Sequence, residues 1–219
     1  ILFVLWLGLV LFSPSTRREQ FIMSLVGLVV APGALIISSA DYRASSQIAT
    51  GVGMEDFLFA FALFGIAAVL YHVLLGKHIE KIQIKKPKMH PKLGWITQLI
   101  ILVFVWLLAL LVLSGLFEIE AMRAAIVSGL FVGIYVIAER KDLLANALFS
   151  GLFMAALIFV IEQIFLIRLY PDVIQSFWSD AHTYGTTLAG IPLEELLWAA
   201  TVGFTIGPLY EYIRGFTLR

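Results

Sequence analysis

Cysteine is absent from the 219-residue chain, which excludes disulfides, iron–sulfur clusters and thiolate metal sites. Charge is scarce as well: only 14% of the residues are Asp, Glu, Lys or Arg, against about a quarter in an ordinary soluble domain. The 15 basic and 15 acidic residues cancel, so no net field favours nucleic acid. No Gly-x-Gly-x-x-Gly follows a strand, because Gly51-Val52-Gly53 opens a long apolar segment, and no P-loop is present. Flavin, nicotinamide and nucleotide fingerprints are therefore missing. So are Asp-rich pairs that would hold a diphosphate through magnesium, and the His clusters of non-haem iron sites. His72, His78 and His90 are too scattered in the sequence to suggest a metal constellation. What these absences leave is acid–base chemistry with no cofactor and no metal.

Apolar surface is what the chain has in excess. Hydrophobic residues make up 61% of it and the mean hydropathy is +0.97, more than a chain this short can hide in a water-soluble interior. The expected fold is all-α, a polytopic transmembrane helix bundle with seven spans. These lie at about 1–12, 20–38, 55–75, 93–116, 121–138, 143–168 and 190–213, most of them near the roughly 20 residues a span needs. The runs do not alternate with period two, which favours helices over barrel strands. Ile1 to Phe12 is short of a full span. It reads as a truncated first helix rather than a signal-peptide core, since a charged leader and a small-residue cleavage site are missing.

Lys and Arg in alternate loops set the orientation. One side carries Arg17, Arg18, the Lys77 to Lys92 segment, Arg140, Lys141, Arg214 and Arg219; the other carries only Arg43, Arg123 and Arg168. The Lys-rich side is expected to be cytoplasmic in an integral membrane protein.

An internal repeat organises the chain further. Gly51-Val-Gly-Met-Glu55-Asp56-Phe-Leu-Phe59-Ala60 matches Gly190-Ile-Pro192-Leu-Glu194-Glu195-Leu-Leu-Trp198-Ala199 without gaps, and the same offset pairs Tyr71 with Tyr210. Arg17-Arg18-Glu19 likewise matches Arg140-Lys141-Asp142. Two parallel three-helix repeats joined by a connector helix are expected: residues 1–76, a basic loop and connector at 77–117, and residues 118–219. Four crossings separate the third and seventh spans, so both motifs lie at the same depth, in the first turns of helices entering from the non-cytoplasmic face.

This places four carboxylates, Glu55, Asp56, Glu194 and Glu195, in the outer part of two equivalent helices. The plain alternative is that they are helix N-terminal acids at the headgroup level, stabilised by the helix dipole. If they converge, they cannot all be ionised cheaply, and the group becomes a general acid beside a carboxylate base. Phe59 and Trp198 follow Glu55 and Glu194 by one helical turn on the same face, and Ala60 and Ala199 stand likewise to Asp56 and Glu195. Aromatic faces attract cations. Glu162, alone among apolar residues in the sixth span, is a functional candidate on the same outer half; an ion pair or hydrogen bond is its structural alternative.

At Pro192-Leu-Glu194-Glu195-Leu-Leu-Trp198 the sequence resembles the membrane-embedded carotenoid cyclases, the lycopene cyclases of heterodimeric bacterial type and their fused archaeal and fungal relatives. Their pattern is Pro-x-Glu followed by Glu or Asp, once per three-helix unit. The first copy keeps Glu55 and Asp56 but has Gly53 where the pattern has Pro. The resemblance implies cyclisation of a linear carotenoid at its ψ end groups to β-ionone rings, an isomerisation with no net redox change. It implies Glu194, Glu195, Glu55 and Asp56 as catalytic groups, and Trp198, Phe59, Ala199, Ala60, Pro192 and Glu162 around the substrate. The partners it implies are a hydrophobic carotenoid, the bilayer and other carotenoid-biosynthesis enzymes. A small-solute transporter with parallel three-helix repeats and proton-coupling carboxylates is the alternative reading.

Overall fold

The computed structural model describes residues 1–38, 53–76, 79–80, 94–171 and 185–218. Arg43, the start of the first motif at Gly51, nearly all of the Lys77 to Lys92 loop with His78 and His90, and Asp180, His182, Tyr184 and Arg219 lie outside them. The described chain is helical almost throughout: α1 (Leu2–Phe12), α2 (Arg17–Ser38), α3 (Met54–Leu75), α4 (Trp95–Gly115), α5 (Ala121–Glu139), α6 (Leu144–Glu162), α7 (Leu193–Ile206) and α8 (Leu209–Arg214). A 3-10 turn, Lys141–Leu143, leads into α6, and a π-helical turn, Gln163–Leu169, prolongs it.

Among the described residues, four helical segments are long and apolar enough to cross a membrane: α3, α4, α5, and α6 together with its flanking turns. Their bounds follow the apolar runs closely, because Gly53, Gly94 and Glu120 stand at the starts of α3, α4 and α5 and left-handed Gly76 ends α3. The other three expected spans hold a short helix, a helix with a proline inside it and a divided helix. α1 has 11 residues, and α2 has 22 with Pro32 inside it. The last span is divided at Gly207-Pro208 into α7 of 14 residues and α8 of 6. Ile100, Phe104 and Leu111 on α4 and Phe131 and Ile134 on α5 are exposed. Such outward apolar flanks fit a membrane protein.

Two extended pieces interrupt the helical pattern. β1 (Ile79–Glu80) pairs antiparallel with β4 (Thr217–Leu218). β2 (Thr187–Leu188) and β3 (Ile191–Pro192) form a hairpin in which Leu188 faces Ile191. Its two-residue turn has positive φ at both Ala189 (52°) and Gly190 (90°), the combination of a type I′ turn.

Packing is tightest between α2 and α3 and between α6 and α7. Small residues allow the second contact: a Cβ on Gly203 would run into the backbone carbonyl of Ser150, and one on Gly151 into that of Ala200. Helices in lipid gain no hydrophobic drive from each other, so backbone proximity and hydrogen bonds hold them. Thr205 Oγ1 donates to the Gly129 carbonyl across α7 and α5 at 2.8 Å. α1 docks through Trp6, whose indole N–H donates to Ser24 Oγ at 2.9 Å and whose carbonyl accepts from Gln20 Nε2 at 2.9 Å.

Candidate functional site

α3 and the α7–α8 segment run side by side in the same direction, as contacts at both ends require. Near their N-termini, Phe59 and Trp198 stack with ring centroids 6.2 Å apart and planes inclined by 12°. Near their C-termini, His72 and Glu211 are hydrogen-bonded at 2.7 Å. Each pair joins residues separated by 139 positions, the offset that aligns the two acidic motifs.

The acidic motif of α7 is positioned by the hairpin before it. Leu193 N–H donates to the Thr186 carbonyl at 3.0 Å, and Gln163 Nε2, in the π turn, donates to the Ala189 carbonyl at 2.6 Å. A backbone bend that only a turn of this kind gives thus sets where the first turn of α7 begins. Glu194 and Glu195 both lie in that turn and are buried, at 1% and 6% exposure. Pro192 and Ala199 are buried with them, while Trp198 is half-buried. Glu162, on the last turn of α6, is buried, and it lies within electrostatic reach of Glu195. Among the described residues its Oε2 has no hydrogen-bond partner.

The corresponding acids of α3 are placed differently. Glu55 is exposed, and its carboxylate folds back over Gly53 into the space a Cβ would fill. Only a residue without a side chain leaves that space open, so the departure from Pro at this position goes with a changed carboxylate position. Asp56 is half-buried, and its Oδ2 accepts the Gly53 backbone N–H at 3.1 Å. It serves as the acid on the third residue of a helix that satisfies an otherwise orphan amide, which is the plain alternative for that residue. Ala60 is half-buried and Phe59 is 42% exposed, its ring against Trp198. The structure therefore brings Glu162 within reach of Glu195, joins Phe59 to Trp198, and turns Glu55 aside.

A second group of polar residues lies at the opposite end of the bundle. Glu19 in the first turn of α2, His72 in the last turn of α3 and Glu211 in α8 are at most 2% exposed. Sequence reasoning did not single out Glu19 or Glu211. The available signal was the offset of 139, which pairs His72 with Glu211 just as it pairs their neighbours Tyr71 and Tyr210.

Residues 120–213 match the family model for lycopene cyclase. The match supports assigning the chain to the lycopene cyclase family. The matched segment contains Glu162, Pro192, Glu194, Glu195, Trp198 and Ala199, whereas Glu55, Asp56, Phe59 and Ala60 precede it. No curated protein and no solved structure matched the chain.

Proposed function

We propose that the chain cyclises lycopene or a related linear carotenoid, closing ψ end groups to β-ionone rings. The observation that carries this reading is the burial of Glu194 and Glu195 together with Glu162 inside the segment that matches lycopene cyclase. Ring closure of this kind needs a proton delivered to a terminal alkene, shelter for a tertiary carbocation, and a base that removes a ring proton. One proton enters and one leaves, so the product is an isomer and no redox partner is needed.

Glu194 or Glu195 is the proton donor in this mechanism, because both are buried where water cannot compete with the alkene for the proton. Another carboxylate of the group accepts the ring proton, and Glu162 stands beside them at the substrate. Trp198 and Phe59 supply aromatic faces near the cation, and Ala199 and Ala60 leave room beside them. Pro192 fixes the entry to α7. Glu55 and Asp56 line the opposing helix start. The substrate enters from the bilayer, and other carotenoid-biosynthesis enzymes supply it and take the product. In the same reading residues 1–76 and 118–219 are two parallel three-helix repeats, residues 77–117 connect them, seven spans cross the membrane, and the Lys-rich side is cytoplasmic. Nothing in the family match or in the described residues favours solute transport.

Expression in a lycopene-accumulating host, followed by chromatography of the extracted carotenoids, tests the proposal. Cyclic product is expected with the unaltered chain, and unchanged lycopene with Glu194→Gln or Glu195→Gln at equal membrane content. Lycopene left unchanged by the unaltered chain would overturn the activity; normal cyclisation by both variants would overturn the roles.

A further inference from the structure

The buried group at the other end of the bundle has a chemistry of its own. His72 Nε2 lies 2.7 Å from Glu211 Oε1 and 3.5 Å from Glu19 Oε1. One ligand-capable atom from each of the three residues falls within 4.8 Å of the other two. Donor atoms arranged about one divalent ion at roughly 2.0–2.2 Å are separated by about 3–4.4 Å, so small side-chain movements suffice to accommodate one. Three helices, α2, α3 and α8, contribute one residue each.

Two observations separate this group from an ordinary buried ion pair. Neither carboxylate oxygen of Glu19 has a hydrogen-bond partner, although the residue is 1% exposed. Among the described residues, no Lys or Arg forms an ion pair with any of the three side chains. Two ionised carboxylates against a single imidazole would leave negative charge uncompensated in a site without solvent, and buried charge is costly unless it is paired, protonated or bound to metal. A divalent cation with two carboxylates and a neutral imidazole sums to zero.

The surroundings also suit a ligand shell. Asn146 Nδ2 donates to Glu211 Oε2 at 3.5 Å and to the Gly207 carbonyl at 3.3 Å, while Ser150 Oγ donates to Asn146 Oδ1 at 2.9 Å. Such outer contacts orient ligating carboxylates. With one nitrogen and two carboxylate donors and no sulfur, the set suits zinc, iron(II) or manganese(II).

We propose that Glu19, His72 and Glu211 bind one divalent first-row metal ion that ties α2, α3 and α8 together at the end of the bundle away from Glu194 and Glu195. The assignment is independent of the cyclase reading, and its role is structural.

The test is elemental analysis by plasma mass spectrometry of the full chain purified in detergent, before and after dialysis against a strong chelator, with zinc, iron(II) and manganese(II) then added back singly. About one metal per chain is expected, with a lower Tm after chelation and recovery on re-addition of the metal. Glu19→Gln and His72→Ala should lose at least tenfold of the bound metal, and Glu55→Gln should retain it. Absence of metal as purified together with no uptake of any of the three ions would overturn the proposal. So would an adventitious ion only, seen as equal metal in the unaltered chain and in both cluster variants. Should the variants fail to fold, the stoichiometry and the chelation response of the unaltered chain decide.

Discussion

Phe59 and Trp198, one on each of two helices that run the same way, lie ring against ring with centroids 6.2 Å apart. Stacked aromatic pairs contribute about 0.5–1.5 kcal/mol beyond the area they bury. A double-mutant cycle of Phe59→Leu and Trp198→Leu, read by reversible unfolding in mixed micelles, should give a coupling of that size. Strict additivity of the two single changes would show that the rings meet without supporting each other.

The two acidic motifs should respond unequally. Glu194 is buried and Glu55 exposed, so Glu194→Gln is expected to lower cyclic carotenoid formation by about a hundredfold or more, as for loss of a general acid. Glu55→Gln should lower it less than tenfold. Carotenoid chromatography at matched membrane levels measures both, and equal losses would place Glu55 in the reacting group.

Gln163 holds the hairpin from the π turn through its bond to the Ala189 carbonyl. Gln163→Leu removes this contact and leaves the helices otherwise intact. Stability should fall by about 0.5–1.5 kcal/mol, while ring formation falls several-fold because the first turn of α7 loses its anchor. An unchanged rate with lowered stability would mean that the hairpin supports the fold alone.

Gly203 lies where α7 passes the Ser150 carbonyl of α6. Gly203→Ala forces a methyl group against backbone that cannot move aside, and overpacking of this kind costs about 1–3 kcal/mol. Gly94→Ala, where nothing lies within 4 Å, should stay within about 0.5 kcal/mol of the parent. Thermal unfolding of the two variants in the same detergent compares them directly.

The helices from Met54 to Leu169 were legible in the sequence because each apolar run ends at Gly or a charged cluster, a local signal that survives folding. The hairpin at Thr187 to Pro192 was not, since its turn depends on Ala189 adopting positive φ beside Gly190, and Ala carries no preference for that conformation. The division of the last span followed from Gly207-Pro208, two residues an apolar count passes over. Of the candidate site, Glu194, Glu195 and Trp198 were recognisable from motif and spacing. That Glu55 turns away was not, because the cause is the empty Cβ position of Gly53. The convergence of Glu19, His72 and Glu211 joins positions far apart in the chain at span ends, so a reading of His72 against the other histidines alone could not find it.

The interruption at Gly207-Pro208 gives the two neighbouring legs of the bundle different mechanics. α3 is a single rod that carries Phe59 and His72, 13 residues or about 20 Å apart at 1.5 Å per residue, so it alone sets the distance between the ring stack and the histidine. The other leg is jointed. Its lower piece sets Glu211 against His72 while the upper piece carries Glu194 and Glu195, so the break lets each end of this leg take its own alignment.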